Sequence, residues 1–152
     1  MAIHDEGFAV LLPEAHHWRE SNIMKIPNTN LLHDLGGSER VGGRLWRLPP
    51  YSANTWHKHV ESWEFYFVLE GSGRMRVGER TVTVPRYGSV LVVPHMLRQV
   101  FNDTPSEVLW LIVAAPQEGP AAAKAKPSET YPDGPRALPP ELSGRVWPPE
   151  AE

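Results

Sequence analysis

Apolar and polar residues alternate in short runs through the middle of the chain, and no run repeats with the period of a helix. Between Arg44 and Ala114 these runs are separated by turn residues such as glycine, proline and asparagine. Alternation with a period of two is typical of strands, so the pattern predicts an all-β region. The predicted strands span residues 44–48, 54–59, 64–69, 74–77, 80–84, 89–93, 98–102 and 107–113. Many short strands at regular spacing favour a sandwich or a small barrel.

A β-hairpin is predicted where two of these strands flank the dipeptide Gly78-Glu79. Two residues of this kind between alternating segments are typical of a tight hairpin turn. Along the hairpin, alternation places four apolar side chains on one face, namely Met75, Val77, Val82 and Val84.

The flanking segments differ from this central region. Residues 1–40 are predicted to form an N-terminal arm, with a short strand over 8–12 and a turn at 28–30. Residues 41–115 form the predicted barrel. Residues 116–152 hold nine of the sixteen prolines and favour an extended, polyproline-like tail. Five residues are expected to anchor this tail on the barrel or on a neighbouring subunit: Tyr131, Leu138, Leu142, Val146 and Trp147.

Composition narrows the class of protein. The 152 residues suit one domain, the net charge is −3, and there is no cysteine. No basic run is present, so nucleic acid is not an expected partner. The first residues lack a signal-peptide pattern, and no apolar run reaches membrane-spanning length. The sequence therefore predicts a soluble, cytoplasmic protein without a membrane partner.

A possible metal site lies in the stretch from His57 to Glu64. His57 and His59 are two residues apart, so on a strand they project from the same face. Glu64 opens the next predicted strand, which can fold back beside the first. Two imidazoles and one carboxylate form a facial triad that leaves coordination positions open. The sequence predicts one divalent ion here, with Fe, Mn, Ni or Zn as alternatives.

The same residues resemble the first motif of the cupin superfamily, G-x5-H-x-H-x3,4-E-x6-G. His57, His59, Glu64 and Gly71 match its spacing, whereas Tyr51 stands where the leading glycine belongs. The resemblance implies a jelly-roll β-barrel with a metal ion inside. It also implies association into a homodimer, because single-domain cupins are often dimers; the competing expectation is a monomer whose tail covers its own apolar face.

The second cupin motif, G-x5-P-x-G-x2-H-x3-N, is matched only in part. Gly88 and Pro94 agree with it, but Met96 replaces the glycine, Gln99 the histidine and Asp103 the asparagine. The resemblance thus assigns Gln99 to the position from which cupins supply a third imidazole.

Two registers are open for the strand that contains Gln99. Without a slip, Gln99 faces the metal as a weak fourth ligand. A slip of one residue places Arg98 inside instead and restores Asn102 to the asparagine position. Arginine has no lone pair to donate, but it can fix an anionic substrate beside the metal. The first register is favoured, because the spacing from Gly88 and Pro94 is intact.

Further residues are assigned to the cavity by strand parity. Tyr66 carries a hydroxyl that can orient a ligand, and His95, near the expected barrel mouth, is either an acid–base group or a solvated side chain. The cavity-lining candidates are Thr55, Tyr66, Val68, Met75, Val82 and Phe101. Plain core packing is the alternative for each.

The leading functional hypothesis is a metal-dependent cupin enzyme with oxygenase-type chemistry on a small organic substrate. Isomerases, epimerases, lyases and cyclases share the fold, which does not choose among them. A non-catalytic binding or sensing module and a metal-free storage or scaffold protein are the alternatives from other classes.

Overall fold

The computed structural model describes residues 7–32, 40–117 and 125–149, and ten strands make up most of its regular structure. A single helical turn, α1 (Pro127–Thr130), and two 3₁₀ turns, Pro13–Ala15 and Pro140–Leu142, complete the regular elements. The strands are β1 (Arg19–Glu20), β2 (Pro27–Asn30), β3 (Gly42–Leu48), β4 (Ser52–Ala53), β5 (Trp63–Glu70), β6 (Gly73–Val77), β7 (Arg80–Val84), β8 (Ser89–Val92), β9 (Arg98–Asn102) and β10 (Val108–Ala115).

These strands form two antiparallel sheets. One has six strands in the order β1-β2-β3-β10-β5-β8, and the other has four in the order β4-β9-β6-β7. Non-consecutive neighbours such as β3, β10 and β5 show that the chain crosses between sheets, as in a jelly roll. Apolar side chains that are at most 2% exposed fill the space between the sheets, among them Tyr66, Val68, Met75 and Trp110. The all-β jelly-roll fold predicted from the sequence is confirmed.

The predicted hairpin is also confirmed. β6 and β7 pair from Gly73↔Val84 to Val77↔Arg80, so two residues form the turn. Gly78 has a φ of 57°, in the left-handed region that glycine enters without steric cost. By contrast, the strand predicted over 54–59 is wrong. The regular strand β4 covers only Ser52–Ala53, and within 54–59 only His57 forms a β-bridge, an isolated one with Arg98.

The N-terminal arm joins the larger sheet. The strand predicted over 8–12 is absent, and a 3₁₀ turn follows instead at Pro13–Ala15. The turn predicted at 28–30 is part of β2, where Thr29 pairs with Leu45 and Asn30 with Arg44. Pairing with β3 thus overrides the turn preference of asparagine.

Residues 125–149 of the Pro-rich tail lie along the outer face of the four-stranded sheet of their own chain. Leu142 is 1% exposed, and Leu138 and Trp147 pack against the core. The Trp147 indole donates a hydrogen bond to the Met24 carbonyl (2.8 Å). Val146, expected to be an anchor, is 65% exposed and does not act as one. The tail therefore covers the sheet and fastens the arm to it.

The outer face of the six-stranded sheet is less well covered. Trp63 (48% exposed) and Phe65 (39%) project from β5, and Leu91 (62%), which pairs with Phe65, projects from β8. None of the helices within the three described ranges has the length and apolar character needed to cross a membrane.

Candidate metal centre

Three side chains with ligand atoms converge between the sheets. One ligand atom from each of His57, His59 and Glu64 lies within 4.8 Å of the others. The His59 Nε2 atom is 3.0 Å from Glu64 Oε1, and the His57 Nε2 atom is 3.2 Å from His59 Nε2 and 3.8 Å from the same carboxylate oxygen. The triad expected from the sequence is therefore assembled around one point.

Local backbone structure explains this convergence. His57 forms a bridge with Arg98, in which each backbone N–H donates to the other carbonyl (3.1 and 2.9 Å). Glu64 lies near the start of β5, between Val92 of β8 and Ala114 of β10. The bend between the two segments is held by Ser62, whose hydroxyl donates to the Pro116 carbonyl (2.6 Å).

The donor set fits a divalent metal ion. The His57 Nδ1 atom lies 3.0 Å from the Thr55 carbonyl oxygen and 3.0 Å from its hydroxyl. Donation of an Nδ1 proton to that carbonyl leaves a lone pair on Nε2, which faces His59 and Glu64. Two imidazoles and one carboxylate can hold Fe, Mn, Ni or Zn, and this set does not select among them.

Glu64 is the centre of a polar network. The Tyr66 hydroxyl donates to Glu64 Oε1 (2.7 Å). Burial alone would raise the pKa of Glu64, but hydrogen bonds and charge from His57 and His59 outweigh it and hold this pKa well below its usual range. Burial and the Glu64 charge raise the pKa of Tyr66 well above its usual value. Glu64 is thus an anion, and Tyr66 a neutral donor that fixes its orientation.

Arg98, not Gln99, is the residue of β9 next to the triad. Arg98 is fully buried, with its Nε atom 3.8 Å from Glu64 Oε1 and its Nη2 atom donating to the Val93 carbonyl (2.9 Å). Its Nε and Nη1 atoms make no hydrogen bond to any described residue. The charge of the buried Arg98 therefore balances that of Glu64.

The assignment of Gln99 as a fourth ligand is wrong. Its amide oxygen accepts a hydrogen bond from Arg76 Nε (2.6 Å), and its amide nitrogen donates to the carbonyls of Asn54 and Ala137. The bridge between His57 and Arg98 sets the register, since directly opposed residues share a face. Gln99 consequently points outward, beneath the tail.

A cavity of about 300 Å³ opens beside the triad. Of the residues assigned to it from strand parity, Thr55 and Tyr66 line it. Phe101 is replaced by its neighbour Val100, as the corrected register requires, while Val68 and Met75 belong to the core. Lining residues that the sequence reasoning missed include Asn30, Arg44, Asn54, Gln117, Thr130 and Tyr131. For Arg44 a signal existed, because it alternates with Trp46 and Leu48 on the inner face of β3.

His95 stands apart from this cavity. It is exposed, and its backbone N–H donates to the His59 carbonyl (2.8 Å). Its side chain lines a neighbouring pocket together with Lys58, His59 and Glu129. The structure therefore places the His95 backbone next to His59 in space, but His95 does not line the cavity that Glu64 and Tyr66 border.

Comparison with known proteins adds a match to one family model and a set of similar folds. Residues 44–114 match the family model described as the cupin domain. No curated protein matches the sequence.

Three solved structures illustrate the similarity in fold. The polyketide cyclase RemF from Streptomyces resistomycificus has a TM-score of 0.63 at 17% identity, covering 74% of this chain and 82% of its own. A sugar phosphate isomerase of the cupin superfamily from Silicibacter pomeroyi gives 0.61 at 20% identity, covering 70% and 75%. The protein TT1209 from Thermus thermophilus gives 0.52 at 27% identity, covering 72% and 90%.

Proposed function

Because residues 44–114 match the cupin-domain model, we propose that the chain is a metal-dependent enzyme acting on a small organic substrate. His57, His59 and Glu64 hold one divalent ion, and the substrate enters the adjoining cavity. The observation that carries this proposal is the position of the triad. Its ligand atoms lie within 4.8 Å of one another at the wall of a cavity of about 300 Å³. That volume is at the lower end of the range for small-molecule sites.

Oxygenase-type chemistry is the first candidate reaction. Two imidazoles and a carboxylate are the ligand set of non-haem iron oxygenases, and iron bound there would supply open positions for substrate and dioxygen. The protein's own residues orient this set. Thr55 holds the His57 ring, and Tyr66 holds the Glu64 carboxylate while also lining the cavity.

Isomerase or cyclase chemistry is the second candidate. It is favoured by the printed names of two proteins with similar folds, a sugar phosphate isomerase and a polyketide cyclase. Isomerases and cyclases do not require dioxygen, whereas an oxygenase consumes it. Oxygen consumption therefore distinguishes the two candidates.

Metal content tests the proposal first. Protein purified without chelators is expected to contain about one divalent ion per chain by elemental analysis, as one three-residue site predicts. The variant His57→Ala loses a ligand and is expected to lose the ion. His17→Ala removes an exposed histidine outside the site and is the matched control. Equal metal content in wild type and His57→Ala would refute the site.

Turnover then separates the reaction classes. Iron-loaded protein is assayed for oxygen consumption with phenols, thiols and diketones, and the same substrates are tested anaerobically with zinc- or nickel-loaded protein. Oxygen consumption that His57→Ala abolishes supports an oxygenase, whereas anaerobic conversion supports an isomerase or cyclase. If His57→Ala loses the metal but keeps ligand affinity, and no substrate turns over, a binding protein replaces the enzyme.

A further inference from the structure

Arg44 introduces a positive charge into the cavity that the metal triad borders. It lies on β3, and its half-buried side chain lines the cavity together with Tyr66 and Glu64. Glu64 is the only carboxylate among the described residues that line this cavity, and it is already engaged by His59, Tyr66 and Arg98. Within the described ranges no carboxylate forms an ion pair with Arg44.

The Arg44 guanidinium is held in place by a buried amide. Its Nη1 atom donates to Asn28 Oδ1 (2.9 Å), and Asn28 is 2% exposed. The Asn28 Nδ2 atom donates to the carbonyls of Arg19 and Ile26 (3.2 and 3.0 Å), which fixes the amide with its oxygen towards Arg44. One of the five guanidinium N–H groups is thus used for positioning, and others remain for a ligand.

A second cation, Arg19, acts on Arg44 from outside the cavity lining. Burial and the charge of Arg19 lower the pKa of Arg44, although a guanidinium remains protonated at neutral pH. Arg19 lies on β1, two strands from β3 in the sheet. The charge of Arg19 adds to that of Arg44, and a positive potential of this kind favours an anion.

The metal triad is also short of negative charge. The charges of Glu64 and Arg98 cancel, so a divalent ion held by the triad would retain both of its positive charges. An anionic ligand that reaches both the ion and Arg44 would compensate the positive charge at both ends of the cavity.

Strand register gives the separation of the two ends. Arg44 pairs with Ile112, which pairs with Tyr66, so two strand spacings separate Arg44 from the strand that carries Glu64. At about 4.8 Å per spacing, the two backbones are roughly 10 Å apart. The Arg44 guanidinium leans toward β2, where it meets Asn28, so a ligand that contacts both it and the triad must span at least this separation with a chain of several atoms.

We propose that Arg44 is a specificity-determining residue that binds the carboxylate of a small organic acid whose other end reaches the metal triad. This assignment rests on the proposed metal-dependent function and names its substrate class. A single guanidinium fork matches the two oxygens of a carboxylate, which distinguishes carboxylic acids from neutral compounds of the same size.

The test uses two ligands that differ only at the end predicted to meet Arg44. Glutaric acid monohydroxamate carries a metal-chelating hydroxamate and a carboxylate, and its carboxamide analogue lacks the charge. Calorimetric titration of manganese-loaded wild type is expected to show about tenfold tighter binding of the carboxylate form, the usual difference for a hydrogen bond to a charged group. In Arg44→Gln the ratio should fall to near one. The matched control Arg80→Gln removes an exposed arginine of β7 and should keep the wild-type ratio.

A metal-independent measurement separates failure of this inference from failure of the proposed function. In metal-free protein, glutarate should shift the Arg44 Nε–H resonance, assigned by its loss in Arg44→Gln, whereas glutaramide should not. If elemental analysis finds no metal in the triad, the proposed function fails, and this shift still decides whether Arg44 binds a carboxylate. An unshifted resonance, equal affinities in wild type, or a preference that persists in Arg44→Gln would overturn the inference.

Discussion

The hydrogen bond from Tyr66 to Glu64 links the core to the metal triad. The substitution Tyr66→Phe removes this hydrogen bond and keeps the aromatic ring. The bond is 2.7 Å long, its acceptor is a charged carboxylate, and Tyr66 is 2% exposed. A hydrogen bond to a charged group contributes about 1.5–3 kcal/mol to stability, so we expect a loss of about 2 kcal/mol. The loss is not larger, because phenylalanine leaves no buried hydroxyl unsatisfied and Glu64 keeps His59 as a partner at 3.0 Å.

Urea denaturation in the presence of a chelator measures this loss. For a slope of about 2 kcal/mol per molar urea, the midpoint should fall by roughly 1 M. Tyr51→Phe is the matched control, because the Tyr51 side chain is half-buried and its hydroxyl makes no hydrogen bond within the described ranges. It should change the free energy of unfolding by less than about 0.5 kcal/mol, as is usual for such substitutions.

Metal affinity gives an independent readout of the same bond. Loss of a group that orients a ligand typically weakens metal binding about 10- to 100-fold, and we expect a change in this range for Tyr66→Phe. If Tyr66→Phe and Tyr51→Phe behave alike in both measurements, Tyr66 does not hold the Glu64 carboxylate, and its place in the site is only that of a core residue.

Three further predictions concern the fold and its assembly. Leu142→Ala should lower the free energy of unfolding by about 2–5 kcal/mol in a denaturation experiment, because it leaves a cavity beneath the tail, whereas the exposed Val146→Ala should be nearly neutral. Equal effects would contradict the packing of the tail. Gly73→Ala should cost about 1–3 kcal/mol by the same assay, since an added Cβ meets the buried Trp110 ring, and an unchanged midpoint would be inconsistent with this contact. The protein is expected to sediment as a homodimer of 17.1 kDa chains, and Leu91→Arg, on the apolar outer face of the larger sheet, is expected to yield monomers. A wild-type mass of one chain would refute the dimer.

The parts of the fold that sequence reasoning predicted well depend on short-range patterns. The hairpin at Gly78 follows from a turn signal flanked by alternating residues. The grouping of His57, His59 and Glu64 follows from a two-residue spacing and a short bend. In each case neighbouring residues determine the geometry, so a single sequence contains the necessary information.

The predictions failed where contacts between segments that are distant in the sequence determine the structure. On β9 both faces are buried, one towards the core and one beneath the tail, so alternation does not distinguish Arg98 from Gln99. Residues 28–30 have turn chemistry but pair with β3, and this pairing is invisible to local propensity. The position of Arg44 in the cavity likewise depends on which strands lie beside β3.

The bond between Trp147 and Met24 has a consequence for how the protein is made. It joins residues 123 positions apart, and Leu142 belongs to the same core as Met24 and Ile26. Such a contact cannot form until all the strands between its partners have been synthesised. The β-strands emerge before the segment that completes their core, so the sheets stay partly uncovered until residues 142–147 have followed them.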